Sequence, residues 1–219
     1  MSAKKKLLVY GVVFVALLAG FFYFVFRGTD NWKSKLPVIS YVKPFSFVNQ
    51  SGDTISNDLV KGKVYVANYF FVTCNGICPN MNGKLKTVYE AYKGNKELVI
   101  LSHTCQPEVD SIPQLKAYAD SIGADGKQWQ FLTGNKLALY QLARESYHID
   151  DPQNNVGSIN DQFLHSQFVA LIDRQGRVRG IYDGLKNKEI SALKEGIEGL
   201  LKETDRASFV NNIFGNSPQ

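Results

Sequence analysis

Three spacings of apolar residues organise the chain. From Leu7 to Phe26 twenty consecutive positions carry no charge and end in Phe-Phe-Tyr-Phe-Val-Phe. At about 1.5 Å per residue, a helix of that length spans the hydrocarbon core of a bilayer. From Val64 the run Val-Tyr-Val-Ala-Asn-Tyr-Phe-Phe-Val is apolar, β-branched or aromatic at nearly every position, which predicts a strand buried on both faces. Past Pro79 the spacing changes, and Met81, Leu85, Val88 and Tyr92 recur on one side of a helix. The junction between that strand and that helix reads Cys74-Asn75-Gly76-Ile77-Cys78-Pro79. Cys74 is expected in the loop and Cys78 near the helix N-terminus, where free N–H groups and the positive end of the helix dipole favour thiolate over thiol.

The remaining elements follow in order. Phe45–Val48 and Thr54–Ile55 flank a Gly-containing turn and predict a hairpin. Leu98–Leu101, apolar throughout, predicts a central strand. Ser111 caps a helix with Pro113 in its first turn, an apolar face of Leu115, Ala119 and Ile122, and Gly123 as its stop. A short strand over Trp129–Leu132, a helix from Asn135 to Tyr147 and a loop over Asp150–Asn160 come next. Phe168–Ile172 and Val178–Tyr182 predict a second hairpin, and Ile190, Leu193, Ile197, Leu200 and Leu201 a closing amphipathic helix. Alternating βα units call for a parallel centre, and the terminal hairpin adds antiparallel strands. The expected fold is an α/β sandwich with a central mixed sheet flanked by helices.

Charge refines the picture at the N-terminus. Lys4, Lys5 and Lys6 precede the apolar run and Arg27 follows it. The aromatic-rich end offers no small-residue cleavage site, so residues 7–27 read as an uncleaved transmembrane anchor, with the lysines holding residues 1–6 in the cytoplasm. Residues 28–44 are mixed and polar, as in a tether; 45–204 form the exported domain; 205–219 read as a mobile tail. The chain has 25 basic and 20 acidic residues, but without Lys4, Lys5, Lys6 and Arg27 the balance is 21 to 20. With no basic stripe and no nucleic-acid motif, a nucleic-acid partner is excluded.

Three cysteines, Cys74, Cys78 and Cys105, cannot all pair with one another, which rules out a disulfide framework. A CxxxC pair in an exported domain is either a redox couple or a soft-metal site kept reduced. Asn-Gly between the two cysteines and Pro after them describe an exposed loop rather than packing. His165 stands just before the Phe168–Ile172 strand, His103 terminates the Leu98–Leu101 strand, and His148 closes a helix. Taken singly, each is more often a hydrogen-bonded surface or core residue than a ligand.

Four segments together resemble the Sco/SenC family of thioredoxin-like, membrane-anchored proteins that handle copper for cytochrome c oxidase. They are the Cys74–Pro79 motif, Pro107-Glu108 after the next strand, Phe131-Leu132-Thr133-Gly134, and His165-Ser166 ahead of Leu171-Ile172-Asp173-Arg174-Gln175-Gly176. The resemblance runs from about Phe45 to Glu203. It implies a thioredoxin-like sandwich, a copper ion, Cu(I) or Cu(II), bound by Cys74, Cys78 and His165, a copper donor, a copper-accepting oxidase subunit, and a domain on the periplasmic side. Where the family usually has Val-Asp-Pro, this chain has Cys105-Gln106-Pro107. An acidic group is lost and a third thiol added, and Cys105 is read as filling a small apolar slot. Two thiolates and an imidazole suit copper, whereas a structural zinc site would want a fourth protein ligand.

Two functions therefore stand side by side: a copper-binding assembly factor, which is not an enzyme, and a thiol–disulfide oxidoreductase in which Cys74 and Cys78 reduce a partner's cysteines. They are compatible, since thiols that bind Cu(I) also exchange with disulfides. Thioredoxin-type reductases carry a CxxC pair facing a proline. Here an extra residue separates the cysteines, and no proline lies between Pro152 and Pro218, which favours copper. A peroxidase of related fold is weaker, because nothing marks a lone peroxidatic cysteine.

Overall fold

The computed structural model describes residues 3–26, 36–151, 153, 157–164 and 166–214, and the chain divides into two units, residues 1–35 and 36–219. The first holds helix α1 (Ala3–Phe26), 24 residues or about 36 Å long. Its Lys4–Tyr23 segment has a mean hydropathy of 2.0, long and apolar enough to cross a membrane.

The second unit is built on strands β1 (Ser40–Tyr41), β2 (Ser46–Asn49), β3 (Thr54–Ser56), β4 (Val64–Phe70), β5 (Leu98–Thr104), β6 (Trp129–Thr133), β7 (Phe168–Ile172) and β8 (Arg177–Asp183). Helices α2 (Asn57–Val60), α3 (Ile77–Ala91), α4 (Ile112–Ile122), α5 (Lys136–Gln141) and α6 (Asn187–Phe214) connect and follow them. All eight strands share one sheet in the order β1-β8-β7-β4-β5-β6-β2-β3. The parallel centre expected from the sequence is β4, β5 and β6, with Tyr65 opposite Val99 and His103 opposite Leu132. The late hairpin β7–β8 pairs antiparallel to β4, and the early hairpin β2–β3 pairs antiparallel to β6.

Every residue of β4 is buried, and alternate side chains enter two separate cores. Tyr65, Ala67 and Tyr69 join Phe45, Phe47, Leu101, Leu139, Tyr140 and Tyr147 on one face. Val64, Val66 and Phe70 join Met81, Leu85, Val88, Leu115, Leu193 and Ile197 on the other, beneath α3, α4 and α6. Each Val, Leu, Ile, Phe or Met among them contributes about 1.5–3 kcal/mol by leaving water. A buried polar relay fixes α3 on its face: Trp129 Nε1 donates to Ser102 Oγ (2.9 Å), Ser102 to Asn68 Oδ1 (2.6 Å), Asn68 Nδ2 to Asn82 Oδ1 (3.1 Å), and Asn82 Nδ2 to Tyr118 (2.8 Å). Strands β4, β5 and β6 and helices α3 and α4 all contribute to it.

Capping follows the sequence. The Gln114 side chain accepts from the Ser111 N–H at 2.8 Å, Gly123 ends α4 at φ +76°, and the Asn135 side chain accepts from Ala138 N–H at 3.0 Å. Four boundaries differ, the first at the C-terminus, where α6 continues to Phe214 through residues 205–214 of the stretch read as a tail. β5 continues through Thr104, so His103 lies within the strand instead of ending it; pairing on both sides extends the ladder past the apolar run. The helix expected from Asn135 to Tyr147 is α-helical only to Gln141 and closes as a π-helical turn over Leu142–Tyr147, after which His148 takes a left-handed φ of +53°. Ser40–Tyr41, inside the stretch read as tether, pair with Val178 and Arg177 as the sheet's edge strand.

Candidate metal centre

At the end of β4 the chain turns at once. Cys74 N–H donates to the Phe71 carbonyl at 3.2 Å, closing a turn over Phe71–Cys74, and α3 opens at Ile77 behind Gly76. Cys74 is half-buried in this loop and Cys78, the second residue of α3, is buried; both are free thiols. The Cys78 N–H, one of the donors that a helix's first turn leaves without an intrahelical partner, donates to Cys74 Sγ at 3.4 Å. The helix end thus serves the sulfur in the loop.

That placement corrects the expectation for Cys78. Burial, reinforced by its hydrogen bond with Cys74, pushes the Cys78 thiol up to about 12, so the low dielectric outweighs the helix terminus and keeps this sulfur protonated near neutral pH. A metal ion bound there must displace the proton. As a donor set, two sulfurs from one loop and one helix turn suit a soft ion. Among the described residues no three of His, Cys, Asp or Glu stand close enough to hold a metal ion.

The other candidates fall in different places. Cys105 is buried in the core on the opposite face of the sheet from Cys74 and Cys78, among the residues around Tyr69 and Tyr140, and burial pushes its thiol well up. His103 is fully buried on that same face, stacked on Tyr69 with ring centroids 4.9 Å apart. His148 is exposed. His165 lies outside the described residues. Its chain neighbours are held firmly: Leu164 N–H donates to the Tyr140 hydroxyl (3.1 Å), which itself donates to the Cys105 carbonyl (2.9 Å), and the Ser166 hydroxyl donates to the Ile149 carbonyl (2.5 Å). Gly184 is tightly enclosed, since a Cβ there would stand 2.8 Å from Met81 Cγ of α3 and 2.9 Å from the Gln167 carbonyl.

One residue near the site escaped sequence reasoning. Asp110 has no exposed surface, accepts from Val72 N–H in the cysteine loop and from the Thr104 hydroxyl, and burial lifts its carboxyl above the usual range. In sequence it reads only as a polar residue before the Ser111 cap. Asp110 is thus a buried acid beside the cysteine loop, four residues beyond Gln106.

Known proteins resemble this chain over most of its length. Residues 34–201 match the SCO1/SenC family model. The SCO1 protein homolog of Bacillus subtilis is 29% identical over 179 residues, covering 80% of this chain and 90% of its own. Among solved structures, BsSco, described as a member of the Sco family of cytochrome c oxidase assembly proteins with a disulfide switch, superposes with a TM-score of 0.61 at 27% identity, covering 75% of this chain and 98% of its own. Arabidopsis thaliana ScoI, solved with copper bound, shares the fold with a TM-score of 0.58 at 21% identity, covering 75% and 99%. The thioredoxin-like sandwich of these relatives is the mixed eight-stranded sheet seen here. With the matched region running from residue 34 across both cysteines of the motif, all three histidines and both hairpins, the chain belongs to the SCO1/SenC family.

Proposed function

We propose that this protein is a membrane-tethered copper-binding protein that delivers copper to cytochrome c oxidase or prepares its copper site. The Cys74 and Cys78 thiolates and the His165 imidazole are its ligands. The carrying observation is the pair of free sulfurs at the strand-to-helix junction, with the Cys78 N–H on Cys74 Sγ. Family membership, the assembly role stated for BsSco and the copper in Arabidopsis ScoI support the reading. Helix α1 is the anchor, the lysines before it keep the N-terminus in the cytoplasm, and the domain meets its copper donor and the accepting oxidase subunit on the exported side.

The test is paired copper titration, in both oxidation states, of wild type and the variants Cys74→Ser, Cys78→Ser and His165→Ala. Either serine variant is expected to lose tight Cu(I) binding, because a hydroxyl stays protonated and is a hard, weak donor. His165→Ala is expected to weaken Cu(II) binding and alter its thiolate charge-transfer band while a two-sulfur Cu(I) site partly survives. A His165→Ala protein that binds both forms as wild type does removes His165 from the ligand set.

Thiol–disulfide exchange is the second reading, and one observation favours it. Cys74 is the more exposed sulfur and Cys78 is buried behind it, which suits an attacking and a resolving thiol. Catalytic reduction of an exported partner's disulfide by the copper-free protein, with copper titrations showing no tight site, would establish exchange in place of copper handling.

A further inference from the structure

The hydrogen bonds that hold Cys74 reach back into the sheet. Asp110 stands where the loop between β5 and α4 ends, and its two carboxylate oxygens accept from Val72 N–H at 3.3 and 3.2 Å. The Thr104 hydroxyl donates to the same carboxylate and accepts from Gln106 N–H at 2.9 Å, while Asp110 N–H donates to the Gln106 carbonyl at 2.8 Å. Thr104 is the last residue of β5, which is paired on both sides and buried throughout. Val72 is the second residue of the turn that Cys74 N–H closes on Phe71. A rigid central strand therefore grips the cysteine turn through one carboxylate.

We propose that Asp110 is a positioning residue that fixes the turn delivering Cys74 and, through the Cys78 N–H on Cys74 Sγ, the placement of the two sulfurs relative to each other. Its meaning for copper rests on the reading above. Asp110 makes no hydrogen bond to either sulfur and acts through the Val72 amide. Without the carboxylate, that N–H and the Thr104 hydroxyl lose their acceptor, and a loop with no ladder hydrogen bonds of its own opens more often. Asparagine keeps one acceptor oxygen but turns an NH2 toward a second donor, so it preserves only part of the grip. Removing the Thr104 hydroxyl loosens the carboxylate while leaving the Val72 bond possible.

The experiment compares the full chain in detergent micelles as wild type, Asp110→Asn, Asp110→Ala and Thr104→Val. Each protein is metal-free and reduced, and alkylation by iodoacetamide is followed separately at each cysteine by peptide mapping. Cys74 is expected to react about tenfold faster in Asp110→Ala, with smaller increases in Asp110→Asn and Thr104→Val. Cys105 lies between Thr104 and Gln106, inside the same network, so the far-UV circular dichroism spectrum and the urea midpoint of each variant serve as the control for the fold. After loading with Cu(II), the sulfur-to-copper charge-transfer band is expected to shift in Asp110→Ala. An unchanged Cys74 rate, a Cys74 rate that rises only in proportion to a loss of global stability, or an unmoved band on the loaded variant would each overturn the proposal. A wild type that takes up no copper removes the copper reading alone, because the alkylation rates still decide the part played by Asp110.

Discussion

His103 sits with its ring stacked on Tyr69 and edge-on to Phe47 at 5.6 Å, and neither ring nitrogen has a hydrogen-bond partner among the described residues. Burial pushes its pKa down to about 3, against an ordinary 6.5. Above pH 6.5 the folded and unfolded chains are both neutral at this residue. Below it the unfolded chain takes a proton that the folded chain refuses until about pH 3, so stability falls through that window, by about 3 kcal/mol at pH 4. His103→Phe keeps the aromatic stack and removes the proton site. In urea unfolding of the full chain in micelles at pH 7 and pH 4, the variant is expected to lose about 3 kcal/mol less than wild type; equal losses would show that His103 does not govern the acid limb. Cys105 is the other residue whose surroundings decide its part. Buried in the core around Tyr69 and Tyr140 and not in the one that holds Cys78, it is expected to accept Val with copper stoichiometry unchanged, and loss of copper from Cys105→Val would show that the third thiol is a ligand.

Helix α3 is the element that carries the site, and two kinds of contact fix it. Met81, Leu85 and Val88 bury one stripe against the sheet, a contact that resists sliding little, whereas Asn82 hydrogen-bonds Asn68 on β4 and Tyr118 on α4 and so sets register. Asn82→Ala strands the fully buried Asn68 amide, and a cost of about 2–3 kcal/mol is expected from chemical denaturation. A cost near zero would mean that packing alone holds the helix. The apolar stripe was plain in the sequence as a 3.6-residue period. The polar relay was not, because its members lie on five elements and only the pairing of β4, β5 and β6 brings them together.

For the whole molecule, the β8 side of the sheet is tied down by side chains far apart in sequence. Arg179 of β8 donates to Asp173 (2.8 Å), to Glu203 of α6 (3.1 Å) and to the Leu36 carbonyl (2.9 and 2.6 Å), so one buried guanidinium binds the start of the domain, the late hairpin and the closing helix. These charges hold Asp173 below the usual carboxylate range despite its burial. At this scale the membrane topology is also testable. A reporter fused after Gln219 is expected to be active only on the exported side, and cytoplasmic activity would overturn the localisation and the copper reading together.

What the amino-acid order determined by itself is whatever depends on near neighbours along the chain: the long uncharged apolar helix, the strand buried on both faces, the caps at Ser111 and Asn135, and the placing of Cys74 in a loop and Cys78 in a helix's first turn. Local periodicity and capping chemistry act over a few residues, so they are legible without the fold. Only the tertiary structure decided which face each thiol enters, since alternate residues of a doubly buried strand are equally apolar. It also decided that the early hairpin pairs with β6, that burial overrides the helix end at Cys78, and that Asp110 turns inward to grip the cysteine loop. Desolvation and long-range hydrogen bonds exist only once distant segments meet, and no reading of single residues contains them.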